Sequence, residues 1–361
     1  MTNLQLTHLR FDCTATTPIK MGSHYAGNNL RNALANVMRR ATCPEYRTNR
    51  PPEPAHAATC PACWLLSANL DPGTVIRAYA VAPPLPPRSY IQAGERFSFA
   101  LTLFGDGFHY LPYVVLAANE AGQSEGIGPG RREGLGRFAV DRITAVDPLR
   151  GDMQSCLAPG DAFVTVPNLF VDETAVRHIS QMHHQALNGR HLTLHFLTPT
   201  RLEEKGQLYK LPDFSVLFRR LLYRIDELGR QFAGQERRDP AEVAHLHALA
   251  DSVRLLDAQT DWQEMWVYSG RKGEKTPLSG FTGTAVYRSD DWTELLPWLV
   301  WGQATHVGKS VVKGNGVYEL GVETGLPTGI GCAPTTCGKL RPDRRKSPLF
   351  WRKNRFAKNA R

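Results

Sequence analysis

The chain has 361 residues, with 43 Lys and Arg against 34 Asp and Glu and a net charge of +9. It holds no apolar run of transmembrane length and opens on no signal-peptide pattern, which excludes a membrane-spanning class; a cytoplasmic protein with a sizeable core is expected. The charge is uneven: residues 321–361 carry four Lys and six Arg against Glu323 and Asp343, a net of +8, leaving about +1 elsewhere by subtraction. Such a basic tail suits either nucleic-acid contact or a solubilising disordered segment.

Leu4 to Phe11 alternates apolar and polar side chains and predicts a first strand. After a turn-rich stretch, a helix is expected from about His24 to Arg40. Leu30, Leu34 and Val37 or Met38 recur there at helical spacing, with Arg31, Arg39 and Arg40 on or near the polar side. The Pro-rich stretch that follows has the spacing Cys43-x16-Cys60-x2-Cys63. Seven cysteines in a cytosolic chain argue against a disulfide framework, and this clustering points to a metal. Three thiolates suit tetrahedral zinc, with His56 as the nearest fourth ligand and Cys13 as the second choice. The alternative is three reduced thiols on a flexible loop. Strands are expected at Val75–Ala82 and Arg96–Phe104, then a helix at His109–Ala121 and a glycine- and arginine-rich loop at Gly122–Gly136. That loop follows a helix and enters a strand at Phe138, the reverse of a dinucleotide site. Its Arg131, Arg132 and Arg137 suit RNA phosphates. A short helix at Thr174–Leu187 has no His pair at metal-binding spacing.

A second unit starts at His191–Thr198, where Leu192, Leu194 and Phe196 share one strand face. Helices are expected at Phe214–Phe232 and Ala241–Leu256. A strand pair at Trp262–Ser269 and Leu278–Tyr287 follows, then a helix at Asp291–Trp301 limited or kinked by Pro297, and a last strand at Val317–Leu320. Both units are compatible with the ferredoxin-like βαββαβ order. The expected fold class is therefore α+β: tandem ferredoxin-like (RRM-like) domains over 1–187 and 188–320, with a cysteine-bearing insertion at 41–66 and a basic tail at 321–361.

Between the last helix and strand lies WGQATHVGKSVVKGNGVYEL, Trp301 to Leu320. It misses the P-loop pattern by one residue, since five residues separate Gly302 from Gly308-Lys309-Ser310, and its flanking elements are reversed, which disfavours a nucleotide enzyme. A Gly/Lys-rich hairpin against an RNA backbone fits better, with Gly302, His306, Gly308, Lys309, Lys313, Gly314 and Gly316 as contact residues.

The run Ser279–Tyr287, the Leu-Leu-Pro-Trp-Leu helix, Gly302–Lys309 and Lys313–Tyr318 resemble the C-terminal domain of the CRISPR-associated endoribonucleases that process precursor CRISPR RNA, the Cas six family of the RAMP superfamily. Phe218–Leu228 is similar to that family too. Gly27-x-x-Leu30-Arg31, the 125–138 loop and the cysteine loop match more loosely. The resemblance implies cleavage of a repeat RNA without a catalytic metal: the 2′-hydroxyl attacks the adjacent phosphate and leaves a 2′,3′-cyclic phosphate and a 5′-hydroxyl. It places a histidine near the junction of the first strand and helix, which His24 fits, and His306 is the rival. Tyr25 would act as acid or orienting partner, with Lys20 and Arg31 stabilising charge. The implied partners are a precursor CRISPR RNA repeat and CRISPR effector-complex proteins, with no small-molecule cofactor beyond a structural zinc. The competing reading is a RAMP-fold subunit that holds CRISPR RNA without cutting it.

Overall fold

The alternation that predicts the first strand extends further than expected: in a computed structural model, described for residues 2–48, 52–66, 76–187, 191–269 and 273–321, β1 runs over Leu6–Ala15. Leu9, Phe11, Cys13 and Ala15 all face the core. A short β2 (Ile19–Lys20) and a 3-10 turn, Ser23–Tyr25, lead into α1 (Ala26–Thr42). That helix buries Leu30, Ala33, Leu34, Val37 and Met38, a spacing of three and four residues that makes one apolar stripe. The cysteine segment contains two short helices that the sequence does not announce, α2 (Pro54–Thr59) and α3 (Pro61–Leu66).

The chain then forms β3 (Tyr79–Ala82), β4 (Tyr90–Ile91), β5 (Arg96–Phe104), α4 (Leu111–Glu120), β6 (Phe138–Val146), β7 (Met153–Leu157) and α5 (Glu173–Ala186). The first sheet has the order β3-β5-β1-β6-β7. Its first four strands are all antiparallel and carry ferredoxin-like topology, with β1 central between β5 and β6. The fifth, β7, adds an edge that the sequence pattern does not reveal, because Met153–Leu157 is mostly exposed and lacks a clean alternation.

The second half repeats the plan. It contains β8 (His191–Thr200), a hairpin of β9 (Leu202–Glu204) and β10 (Gln207–Tyr209), α6 (Phe214–Phe232), α7 (Pro240–Ser252) and β11 (Arg254–Gln263). A second hairpin, β12 (Trp266–Ser269) with β13 (Glu274–Pro277), precedes β14 (Gly280–Arg288), α8 (Leu296–Thr305) and β15 (Tyr318–Gly321). The sheet order β11-β14-β8-β15 is again ferredoxin-like. Asp213 and Asp239 cap α6 and α7 by accepting from the backbone N–H groups of Val216 and Ala241, at 2.9 Å each.

Three expectations need correction here. The expected helix to Leu256 ends at Ser252, and Arg254–Gln263 is instead the strand paired with β14. Pairing overrides the helical spacing of Val253 and Leu256, and Leu255 and Leu256 are left exposed on an edge that Arg254, Asp257 and Asp261 keep polar. The strand expected from Trp262 to Ser269 is thus split: its first two residues close β11, while Trp266–Ser269 joins a separate hairpin. Finally, the helix expected at Asp291–Trp301 runs over Leu296–Thr305: Pro297 limits it rather than kinking it, because a proline in the first turn costs no helical hydrogen bond.

The two sheets belong to one compact unit with a continuous core. The end of α6 lies against Gly105, Trp64 packs edge-on against Phe232 at 5.7 Å, and Val317 meets Ala82 and Ala100. Beyond Gly321 the basic tail lies outside the described residues, and among those residues no helix is long and apolar enough to cross a membrane.

Candidate functional site

The residues between β1 and α1 form a sharp, well-tethered turn. Gly22 and Ser23 donate backbone N–H bonds to the carbonyls of Ser89 and Arg88, 3.0 Å each, and Asn29 Nδ2 reaches back to the Met21 carbonyl at 3.0 Å. This fixes His24 and Tyr25 at the entrance of α1. His24 is half-buried, and its Nδ1 is shielded from solvent without a hydrogen-bond partner. Burial lowers its pKa below the ordinary histidine value, so the neutral imidazole is favoured near neutral pH. The Tyr25 hydroxyl accepts a 3.3 Å bond from the Trp266 N–H on the second hairpin. Lys20 is exposed on β2.

The C-terminal glycine loop meets the same helix from the other half of the molecule. Gly27 lies against the Lys313–Gly314 backbone: a Cβ on Gly27 would stand 2.6 Å from the Gly314 Cα and closer still to the Lys313 carbonyl oxygen. Only a glycine in the first turn of α1 permits that approach. The contact brings Lys313 towards Arg31. Burial first, and the Arg31 guanidinium second, lower the Lys313 pKa. Among the described residues neither cation forms an ion pair; Arg31 Nη1 bonds only the Asn32 side chain, at 3.2 Å. Two partly buried cations without an acid thus lie along the first turns of α1, the helix that the His24 turn enters, an arrangement that suits a phosphate.

The N-terminal glycine loop closes a third side. Gly128 lies over the Lys20 carbonyl, and Gly136 donates to the Pro18 carbonyl at 3.0 Å. Glu125 anchors the loop to α1 through Asn36 at 3.2 Å and Arg40 at 3.0 Å. Arg131 turns towards the same carboxylate, 3.5 Å away, while Arg132 is exposed and Arg137 is half-buried.

Several expected RNA contacts face inward instead. Gly302 is buried within α8, where the absence of a Cβ leaves room for the Tyr318 hydroxyl, which donates to the Leu299 carbonyl at 2.7 Å. His306 is 1% exposed and sits with Arg224 and His8 between the sheets; burial, then those neighbours, lower its pKa to about 3. Gly316 packs under Val307, whose N–H bonds its carbonyl at 3.0 Å. Gly308 lies over the Arg201 carbonyl, and Lys309 is exposed but faces Glu203 at 3.7 Å. The loop therefore presents Lys313 and Gly314 to α1, while most of its other glycines serve packing. The expected hairpin is a loop with a single 3-10 turn, Val311–Lys313.

The sequence pattern misses Trp266 and Tyr268. These two residues read as part of one strand, Trp262–Ser269, yet they are 50% and 70% exposed, and the backbone N–H of Trp266 bonds the Tyr25 hydroxyl. The glycine- and lysine-rich run from Gly270 to Lys275 was the available sign that Trp266–Ser269 pairs with Glu274–Pro277 instead. At the other end of α1, the ligand atoms of Cys43, His56, Cys60 and Cys63 all lie within 4.8 Å of one another.

The chain thus carries tandem ferredoxin-like sheets with a glycine loop before the last strand. Residues 194–318 match the family model of the CRISPR-associated endoribonuclease Cas6, and residues 4–168 match the AF_1859 N-terminal domain model. Among solved structures it is similar to Thermus thermophilus Cas6 (TTHB231), with 16% identity, a TM-score of 0.51, and coverage of 88% of this chain and 98% of that one. The product complex of the same protein gives the same score and identity over 87% and 99%. A partial Cas6-RT-Cas1–Cas2 complex gives a TM-score of 0.55 at 12% identity, over 90% of this chain and 47% of that one. No curated protein matches the chain.

Proposed function

We propose that the protein cleaves precursor CRISPR RNA within its repeat by metal-independent attack of a 2′-hydroxyl on the adjacent phosphate. The observation that carries this reading is the packing of the Lys313–Gly314 backbone on Gly27, in the first turn of the helix that the His24 turn enters. His24, neutral at physiological pH, takes the proton of the attacking 2′-hydroxyl. Lys313 and Arg31 face the charge that builds on the phosphorane oxygens, in a partly shielded setting where such charges act more strongly than in water. Tyr25 orients the leaving 5′-oxygen or supplies its proton, and Lys20 approaches the RNA from the exposed edge. The products are a 2′,3′-cyclic phosphate and a 5′-hydroxyl, so no atom is gained or lost in the cut. Arg132 and Lys309 hold backbone phosphates further along the RNA, and CRISPR effector proteins would receive the product.

Repeat RNA incubated with the protein in chelator, with and without a 2′-deoxy sugar at the cut site, tests the chemistry. Cleavage that the deoxy sugar abolishes is expected. His24→Ala should abolish cleavage and spare binding; full activity in that variant removes His24 from the mechanism. Tight binding without any cleavage by the wild-type protein would favour a scaffold that retains CRISPR RNA.

A further inference from the structure

The cysteine segment poses a physical problem of its own. Its two helices have six residues each, far too short to persist by themselves; α3 buries Ala62, Leu65 and Leu66, but α2 buries only Ala57. α2 and its His56 therefore need a further tether. Cys43 Sγ lies 3.6 Å from Cys63 Sγ and 3.5 Å from His56 Nε2. Two thiolates bound tetrahedrally to one zinc stand about 3.8 Å apart, and a thiolate and an imidazole nitrogen about 3.5 Å apart, from the usual Zn–S and Zn–N lengths. The measured spacings therefore leave room for one such ion at the centre. The fourth member, Cys60, has its Sγ in the same group, while its backbone accepts from Trp64 and donates to His56, so α2 and α3 turn tightly around the four side chains.

The imidazole carries a second, independent sign. His56 Nε2 faces the thiols, and its Nδ1 faces the Glu45 carboxylate at 3.8 Å. A carboxylate behind a histidine fixes the tautomer that leaves Nε2 free to bind a metal.

We propose that Cys43, His56, Cys60 and Cys63 bind one structural zinc ion, which ties the far end of α1 to the Trp64 wedge between the two halves. Cys43 is the residue that ends α1, its N–H bonded to the Arg39 carbonyl at 2.9 Å. One residue past Cys63, Trp64 stacks on Tyr110 at 4.5 Å and meets Phe232 of α6. The ion thus joins the end of α1 to the two short helices, adding to the Cys60 Sγ contact with the Thr42 carbonyl at 3.7 Å. It is separate from the His24 end of α1 and does not depend on the cleavage reading.

The full chain, purified under reducing conditions without chelator, should carry about one zinc per molecule by elemental analysis. Exchange with cobalt should give thiolate charge-transfer bands and the intense visible bands of a tetrahedral site. A mercurial that blocks thiols should release the zinc in step with three thiols. Cys63→Ser should lose the ion and become open to proteolysis between Cys43 and Leu66; if that variant does not fold, the wild-type measurements decide alone. Wild-type protein that is folded yet holds no zinc, takes up no cobalt, or yields a Cys43–Cys63 disulfide in place of the metal overturns the proposal.

Discussion

Gly27→Ala tests the contact on which the candidate site depends. In an ordinary helix this change is favourable, by about 1 kcal/mol. Here the new methyl group would stand 2.6 Å from the Gly314 Cα, against 3.4 Å for the start of ordinary contact. The Lys313–Gly314 backbone must therefore retreat by roughly 0.8 Å or more, a displacement forced on a packed interface. Overpacking of this kind costs about 1–3 kcal/mol, so the net change runs from near zero to about 2 kcal/mol of destabilisation. The functional effect should be larger, because a shift of about 1 Å in a charge-stabilising group can cost on the order of 100-fold in rate. Urea unfolding gives the stability, and single-turnover cleavage of repeat RNA gives the rate. A variant that is about 1 kcal/mol more stable and cleaves at the wild-type rate would show that the loop does not bear on α1, and the reasoning would fail.

The His24 pKa, lowered by burial, sets the pH dependence: cleavage should rise with pH through a midpoint below the ordinary value of about 6.5 and then level off. A midpoint above that value contradicts the assignment. His8 and His306, held near 4 and near 3 by burial, are neutral when folded and titrate near about 6.5 when unfolded. Unfolding then takes up protons below that pH, so stability is complete above it and is lost as pH falls towards 4, at up to about 1.4 kcal/mol per pH unit for each histidine. His8→Gln should flatten urea-derived stability against pH, and an unchanged slope would refute the attribution. Trp266→Ala and Tyr268→Ala should weaken repeat binding by about 1–3 kcal/mol each if bases stack there, with stability within about 0.5 kcal/mol of wild type. Equal affinity by filter binding would remove the hairpin from the RNA path.

Local periodicity carried much of the fold. The stripe from Leu30 to Met38 and the alternation of Leu192, Leu194 and Phe196 each answer to one element packed on one core, and both elements form where expected. The misreadings lie where a distant partner decides. Arg254–Gln263 has exposed apolar residues and a helix-compatible start, and only pairing with Gly280–Arg288 makes it a strand. The site divides in the same way. His24 and Arg31 were candidates through the family resemblance at the start of α1, whereas the contact of Gly27 with Lys313, 286 positions later by subtraction, is contained in no local pattern. Glycines that suggested backbone exposure, Gly302 and Gly316 among them, are required by close packing, and composition does not separate the two uses.

Burial also separates the two candidate histidines. A general base needs an accessible imidazole that can exchange its proton with substrate and then with solvent. His306 stands 1% exposed beside Arg224, whose Nε donates to the Thr305 carbonyl at 2.8 Å and whose guanidinium lies over Phe104 at 5.5 Å. Burial and that neighbouring cation oppose its protonation so strongly that it would be a poor proton acceptor even if RNA could reach it. Its place is in the polar contact that joins the two sheets. His24 has the opposite balance: enough burial to stay neutral, enough exposure to meet a ligand, and Lys313 and Arg31 brought near the same end of α1 by Gly27. A ferredoxin-like half alone would supply His24 without Lys313, so the proposed chemistry would require both halves held in register, with Gly27 of α1 as the point where they meet.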